Sequence, residues 1–291
     1  ENTAPDGYVL NAESQFVELT YAGQEIAVRD TVNTSFVNDY QGVEISLSKV
    51  MENDELFAIY GKNCYTSVRF GLFAAENITA ADGTVIPADG LISEASLDEN
   101  MTAKFDTALP FGKYYVQEIA TDEHYVLNGE KYLVNFEYMG QEVTTFSVDC
   151  GEFKNALKRG KIKGVKVNES NEPLENAVFG LFTADCVKFS RDTAIMTAAS
   201  DENGCFEFTD VPFGQYIVRE IESPSGYILS DKEYAVSISE DGEVIEITTE
   251  NKPITVEISK RDVYGNELVG AEMVLENADG ETVDKWTSDG T

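Results

Sequence analysis

A phrase built around one Glu and one Tyr is written three times in this chain: "ENTAPDGYVL" from Glu1, "QEIATDEHYVL" from Gln117 and "REIESPSGYIL" from Arg219. In each copy the Glu precedes the Tyr by seven residues, Glu1 to Tyr8, Glu118 to Tyr125 and Glu220 to Tyr227. Other phrases keep their order around it. "VRFGLFAA" (from Val68) returns as "AVFGLFTA" (from Ala177), and "LPFGKYYV" (from Leu109) as "VPFGQYIV" (from Val211). Past each Tyr an Asn closes a strand-like run, Asn38, Asn155 and Asn251, at distances of 30, 30 and 24 residues. Each unit opens on a strand with a Lys: Lys49 in "VEISLSKV", Lys166 in "KGVKVNE" and Lys260 in "VEISKRD". Self-similarity on this scale requires tandem modules, each burying its own core, rather than one mixed fold.

Segments such as "KYYVQEI", "QYIVREI" and "EVIEITTE" alternate apolar and polar residues, are rich in Val, Ile and Tyr, and are separated by turn phrases, which predicts short strands throughout. No stretch holds a helical period. The expected fold is all-β: tandem immunoglobulin-like sandwiches, two complete and two partial. The boundaries fall at 1–40 (the C-terminal half of a module), 41–157 (complete, with an insertion around Cys64), 158–252 (complete) and 253–291 (an N-terminal half). A fragment of a longer array is the expectation. Each closing Asn lies 11, 11 and 9 residues before the next Lys, so linkers are nearly absent and neighbours should stack stiffly.

Composition removes several classes of function. With 53 acidic against 21 basic residues and a net charge of -32 spread along the chain, the surface repels nucleic acid and anionic lipid. No apolar run is long enough to span a membrane. Cys64, Cys150, Cys186 and Cys205 lack CxxC spacing and His124 is the sole histidine, so neither a metal site nor a cofactor is expected. Pairing within modules predicts disulfides Cys64–Cys150 and Cys186–Cys205, which an exported setting permits. His124 is expected as a solvated turn residue. The phrases "DENG", "EDGE" and "NADGE" are expected as hairpin turns rather than calcium loops, and the sequons at Asn33, Asn77, Asn100 and Asn168 as incidental. No Ser/His/Asp, metal or phosphate-loop set points to a turnover enzyme.

A Lys on a first strand, a Glu on a middle strand and an Asn on a last strand can meet inside one sandwich. Burial disfavours charge, lowering the pKa of a lysine and raising that of a carboxyl group in general. A neutral amine is a nucleophile, a carboxyl group can polarise a carboxamide and move protons, and fixed proximity raises the effective concentration enormously. The product is a Lys-to-Asn isopeptide bond with loss of ammonia. An ordinary buried ion pair with Asn as a polar neighbour is the alternative, and such pairs rarely stabilise.

The phrases "PLENAVFGLF", "VPFGQYIVREIESPSGYIL" and "ITTENKP" resemble the collagen-adhesin B-type domains, also called pilin-like prealbumin domains, of Gram-positive surface proteins. The end of the chain, from "ISKRDVYGNELVGAEMV", resembles the isopeptide domain used in peptide-ligation pairs. That resemblance implies Lys49, Glu118 and Asn155 as nucleophile, acid and acceptor in the first complete module, and Lys166, Glu220 and Asn251 in the second. Lys161 and Lys163 compete with Lys166, whose interval to Pro173 and Ala177 fits better. Glu1, Asn38 and Lys260 are split-module candidates, which the tail of one chain and the head of the next would bring together. "ATDEHY" departs from the family by lacking a Pro and a Gly before its Tyr, which puts the turn in doubt more than the chemistry. The implied function is a structural stalk of a surface adhesin or pilin, outside the cell on a wall-anchored parent, partnered by neighbouring repeats. The competing function is binding of a host matrix or glycan ligand by the inserted loops of 41–157.

Overall fold

The computed structural model describes residues 1–18, 24, 34–80 and 83–289, so the sequon at Asn33 lies outside the described residues. Alternation sets the first strand. In β1 (Gly42–Met51), Val43, Ile45, Leu47, Lys49 and Met51 are buried while the residues between them are partly or fully exposed, the period of two of a sheet covered on one face. There follow β2 (Arg69–Ala74), β3 (Ile78–Thr79), β4 (Val85–Ile86), β5 (Leu91–Ser96), β6 (Thr102–Asp106), β7 (Gly112–Ala120), β8 (Lys131–Phe136) and β9 (Thr145–Asn155). β1 is the centre of a three-stranded sheet, antiparallel to β6 and parallel to β9. The second sheet of this module runs β5-β2-β7-β8. Ile45, Phe70, Leu72, Phe105, Tyr114, Phe136 and Phe153 fill the core.

The second sandwich repeats this order with β10 (Arg159–Asn168), β11 (Val178–Thr183), β12 (Met196–Ala199), β13 (Cys205–Pro212), β14 (Gly214–Glu222), β15 (Glu233–Ile238) and β16 (Val244–Asn251). Its sheets are β13-β10-β16 and β12-β11-β14-β15. Lys161 and Lys163 point outward from β10 and Lys166 inward. Phe206 lies flat on β10 at Gly164, where a Cβ would come within 2.0 Å of the ring. The ring is held from its other side by Phe179, stacked at 3.8 Å, so it has nowhere to retreat. Gly164→Ala is therefore expected to destabilise this sandwich by about 2 kcal/mol, within the range for overpacked cores. A urea midpoint equal to that of the parent would refute the packing argument.

At the head, Tyr8 bridges Tyr40 with the rings stacked at 4.6 Å; the same bridge recurs as Tyr125 to Leu157 and Tyr227 to Pro253. At the tail, β17 (Glu272–Glu276) and β18 (Thr282–Thr287) form a hairpin. The strand expected around Lys260 is not in a sheet, and Ile254, Val256 and Ile258 are exposed. The equivalent residues of β1 gain their burial from a last strand laid parallel alongside, which these residues lack among the described ones.

The insertion in the first module meets the second. Asp54 and Ile59 pair across a tight loop whose Phe57 packs on the second core, edge-on to Tyr216 at 5.7 Å. Arg159, at the start of β10, reaches back with Nη2 to Glu52 at 2.8 Å and Nη1 to Asp54 at 2.9 Å. His124 is not a solvated turn residue. Its Nδ1 lies 2.6 Å from Asp122, its ring meets Phe213 edge-on at 4.9 Å, and its carbonyl accepts from the Lys158 N–H at 2.8 Å. A turn expected to face water is capped by the next module. Glu52, Asp54 and Phe57 are likewise committed to this joint, which takes those three side chains out of the adhesive face expected of the insertion.

The expected disulfides are not formed; all four cysteines are free. Cys186 and Cys205 each turn their sulfur onto a carbonyl of their own loop, Lys188 O at 3.2 Å and Asn203 O at 3.8 Å. Burial pushes the Cys150 thiol up to about 11. Burial, and then Asp122, raise that of Cys64, so both are poor nucleophiles at neutral pH.

Candidate functional site

Parallel pairing of first and last strands creates the site. Lys49 sits opposite Phe153 and Met51 opposite Asn155; Lys166 sits opposite Thr249 and Asn168 opposite Asn251. The Asn is thus two residues further along than the Lys, on the same face. The Glu comes from the other sheet, Glu118 on β7 paired with Phe70 of β2, and Glu220 on β14 paired with Phe179 of β11. The "FGLF" phrase thereby supplies a ring to each cluster, 5.6 Å from the Lys nitrogen in both.

All six side chains belong to residues at most 3% exposed. In the first cluster Lys49 Nζ lies 2.7 Å from Glu118 Oε1 and donates to Asn155 Oδ1 at 2.5 Å. Asn155 Nδ2 donates to both Glu118 oxygens, at 3.0 and 2.9 Å, and to Thr121 Oγ1 at 2.8 Å. In the second, Lys166 Nζ lies 3.2 Å from Glu220 Oε1 and donates to Asn251 Oδ1 at 2.5 Å, and Asn251 Nδ2 donates to Glu220 Oε1 at 2.8 Å. The other oxygen of each Glu accepts a backbone N–H from the residue ten further on, Asn128 at 2.7 Å and Ser230 at 2.9 Å. Burial lowers the pKa of Lys49 and of Lys166, against the opposing pull of the Glu in each case. The amine is thus biased toward its neutral, nucleophilic form next to an amide carbonyl.

The head repeats the acid and acceptor alone. Asn38 Nδ2 donates to Glu1 Oε1 at 3.1 Å, and the backbone N–H of Asn11, ten residues after Glu1, donates to Oε2 at 3.3 Å. Lys260 is exposed and makes none of these contacts. Its backbone does repeat the pattern: Leu268 N–H donates to Lys260 O at 2.7 Å as Leu174 does to Lys166 O at 2.9 Å. All nine of these residues were candidates from the sequence, and the structure brings eight of them into Lys–Glu–Asn or Glu–Asn contacts, Lys260 excepted. Sequence spacing missed Thr121, because no other copy of the phrase has a threonine there. A groove of about 720 Å³ bordered by Lys163, Val165, Thr197 and Phe206 lies on the second sandwich, apart from either cluster. No group of metal-binding type occurs among the described residues. In the turn "DENG", Asp201 Oδ1 accepts from its own loop, Asn203 N at 2.9 Å and Cys205 N at 2.8 Å.

Paired sheets with a parallel first and last strand and a buried Lys, Glu and Asn cluster between them define tandem prealbumin-like domains. The model of the SpaA prealbumin-like fold domain matches residues 41–149 and 160–253, and the chain belongs to that family. A solved structure of the Bacillus anthracis TIE protein is similar at TM-score 0.57 and 22% identity, over 87% of this chain and 42% of that one. This chain therefore spans less than half of that protein. GBS52, the minor pilin of Streptococcus agalactiae, matches at TM-score 0.33 and 19% identity, over 75% of this chain and 99% of that one. A C-terminal fragment of the pilus adhesin SpaC from Lactobacillus rhamnosus GG matches at TM-score 0.45 and 13% identity, over 73% and 98%. A search of curated proteins matched none.

Proposed function

We propose that this chain is a load-bearing stretch of a Gram-positive surface adhesin or pilin, exposed outside the cell. Each sandwich locks itself with a Lys-to-Asn isopeptide bond, Lys49 to Asn155 and Lys166 to Asn251. The observation that carries this is the same buried contact made twice: a lysine amine on an asparagine carboxamide, with one carboxylate touching both. Transfer of a proton from Lys49 to Glu118 leaves a neutral amine, whose Nζ attacks Cγ of Asn155. The Cγ–Nδ2 bond breaks, both protons shed by Nζ, the first already held on Glu118, pass through that carboxyl group to Nδ2, and the nitrogen departs as ammonium. Glu118 ends as it began, no cofactor is consumed, and the reaction occurs once.

The load path explains the use of such a bond. Force entering at Gly42 runs along β1 to Lys49 and crosses to Asn155 without touching residues 50–154; it then follows 155–166 and crosses again to Asn251. Unzipping either core would require breaking a covalent bond. The Glu1 and Asn38 pair and Lys260 are the acid, acceptor and nucleophile of a split site, which the head of one chain and the tail of another would complete. Intact mass under reducing conditions, with peptide mapping, tests the reading. A deficit of two ammonias is expected, reduced to one in Glu118→Ala and in Glu220→Ala. A mass equal to that of the plain sequence would refute it.

A further inference from the structure

The turn after each Glu differs at one position that touches the reacting atoms. The third residue beyond Glu118 is Thr121, beyond Glu220 it is Ser223, and beyond Glu1 it is Ala4. Thr121 Oγ1 receives the Asn155 Nδ2 hydrogen at 2.8 Å. Ser223 turns away and donates to its own Tyr227 O at 3.0 Å, leaving Asn251 Nδ2 on Glu220. The Pro-free, Gly-free turn "ATDEHY" thus puts a hydroxyl on the nitrogen that has to leave.

We propose that Thr121 is a catalytic residue of the first cluster. Its hydroxyl holds the departing nitrogen of Asn155, so that the Lys49 bond closes faster than the Lys166 bond. This rests on the cross-linking reading above. In the starting amide the Nδ2 lone pair is delocalised and Nδ2 only donates, so the hydroxyl accepts. Attack of Lys49 Nζ on Cγ makes Nδ2 pyramidal and gives it a lone pair. A hydroxyl is donor as well as acceptor and rotates to meet it. A hydrogen bond made only on the way to product lowers the barrier rather than the ground state. The bonds balance without consuming Thr121. Nζ–Cγ forms, Cγ–Nδ2 breaks, both protons from Nζ reach Nδ2 through Glu118, and Thr121 keeps its own proton throughout.

The test uses the full chain synthesised in a short cell-free pulse and quenched in acid at intervals, with peptide mapping to read both cross-links in the same molecules. In the parent the first bond is expected to close before the second. Thr121→Val should slow the first bond about fivefold, the rate factor of one neutral hydrogen bond, and leave the second unchanged. Thr121→Ser should restore most of the rate, which a loss of methyl packing would not predict. A first bond that forms in Thr121→Val at the parent rate overturns the proposal. So does equal slowing of both bonds, the mark of a folding defect. Absence of both bonds from the parent would remove the cross-linking reading itself, and this proposal with it.

Discussion

Glu118→Ala should lower the melting temperature of the first sandwich by tens of degrees and leave the second where it was. The proposed bond it would prevent closes a loop between residues 106 apart, and the one proposed for the second sandwich a loop between residues 85 apart. Treated as a cross-link that restricts the unfolded chain, closure of the larger loop contributes about 5 kcal/mol. For a domain of this size that corresponds to about 20–40 °C. The variant also strands Lys49, whose side chain has no exposure, without its counter-charge. A buried charge deprived of its partner costs about 3–5 kcal/mol more. The pair Lys49→Met, Glu118→Ala separates the two effects by removing charge and bond together. Its remaining deficit is expected near 5 kcal/mol, and a double variant as stable as the parent would show that no bond was lost. An Asn155→Ala chain adds a pH signature. Its Lys49 keeps the lowered pKa that burial imposes, so in alkaline solution the folded state binds fewer protons than the unfolded one. The cost of burying that charge is fully present below the lowered pKa, and stability rises as pH climbs from there toward the ordinary 10.5. In a parent carrying the proposed bond, Nζ would be an amide nitrogen, and this rise is expected to be absent.

How much of this was legible beforehand depends on the range of the interaction. The "FGLF" and "PFG" phrases, the Glu, the Tyr and the closing Asn recur in a constant order, with the "PFG"-to-Glu and Glu-to-Tyr intervals unchanged, because each occupies a fixed place on a strand while the loops between them vary. Repeat spacing therefore offered Lys49, Glu118, Asn155, Lys166, Glu220 and Asn251 as candidates, and the family resemblance assigned their roles. The interval to Pro173 and Ala177 favoured Lys166 over Lys161 and Lys163, and the structure adds that Lys166 lies on the buried parity of its strand and the other two on the exposed one. The contacts that escaped are those between modules and those unique to one copy. His124 reads as a turn residue from its neighbours, and nothing local reveals that Phe213 lies against it. Phe57 belongs to an insertion with no counterpart to align. The disulfide expectation failed because sharing a module does not bring two sulfurs together; each thiol of the second pair is turned onto its own loop.

Breaking the joint should separate the two sandwiches without unfolding either. Phe57→Ala together with Arg159→Ala removes the ring on Tyr216 and the cation between Glu52, Asp54 and Asp210. A fully buried Phe truncated to Ala costs about 3–5 kcal/mol; Phe57 is only partly buried, so about 2 kcal/mol is expected from it. Arg159 is 20% exposed and bound to two carboxylates within 3 Å, which leaves its removal well above the cost of a surface pair. Together the two losses should reach about 4 kcal/mol. The two hydrophobic clusters share no buried member, and Phe57 covers the second only from outside, so each sandwich keeps its own buried residues. The expected result is two unchanged cores, faster protease cutting between Asn155 and Arg159, and a broader distribution of inter-domain distances from spin labels placed on Glu99 and Glu202, both exposed. Cross-linking should proceed as in the parent, since both clusters lie inside their own sandwiches. A distance distribution as narrow as that of the parent would mean that the backbone bonds from Lys158 to His124 and from Phe213 to Lys158 fix the joint by themselves. If instead the distribution broadens while both ammonias are still lost, stiffness between modules and strength within them come from separate residues, and the insertion serves the first of the two.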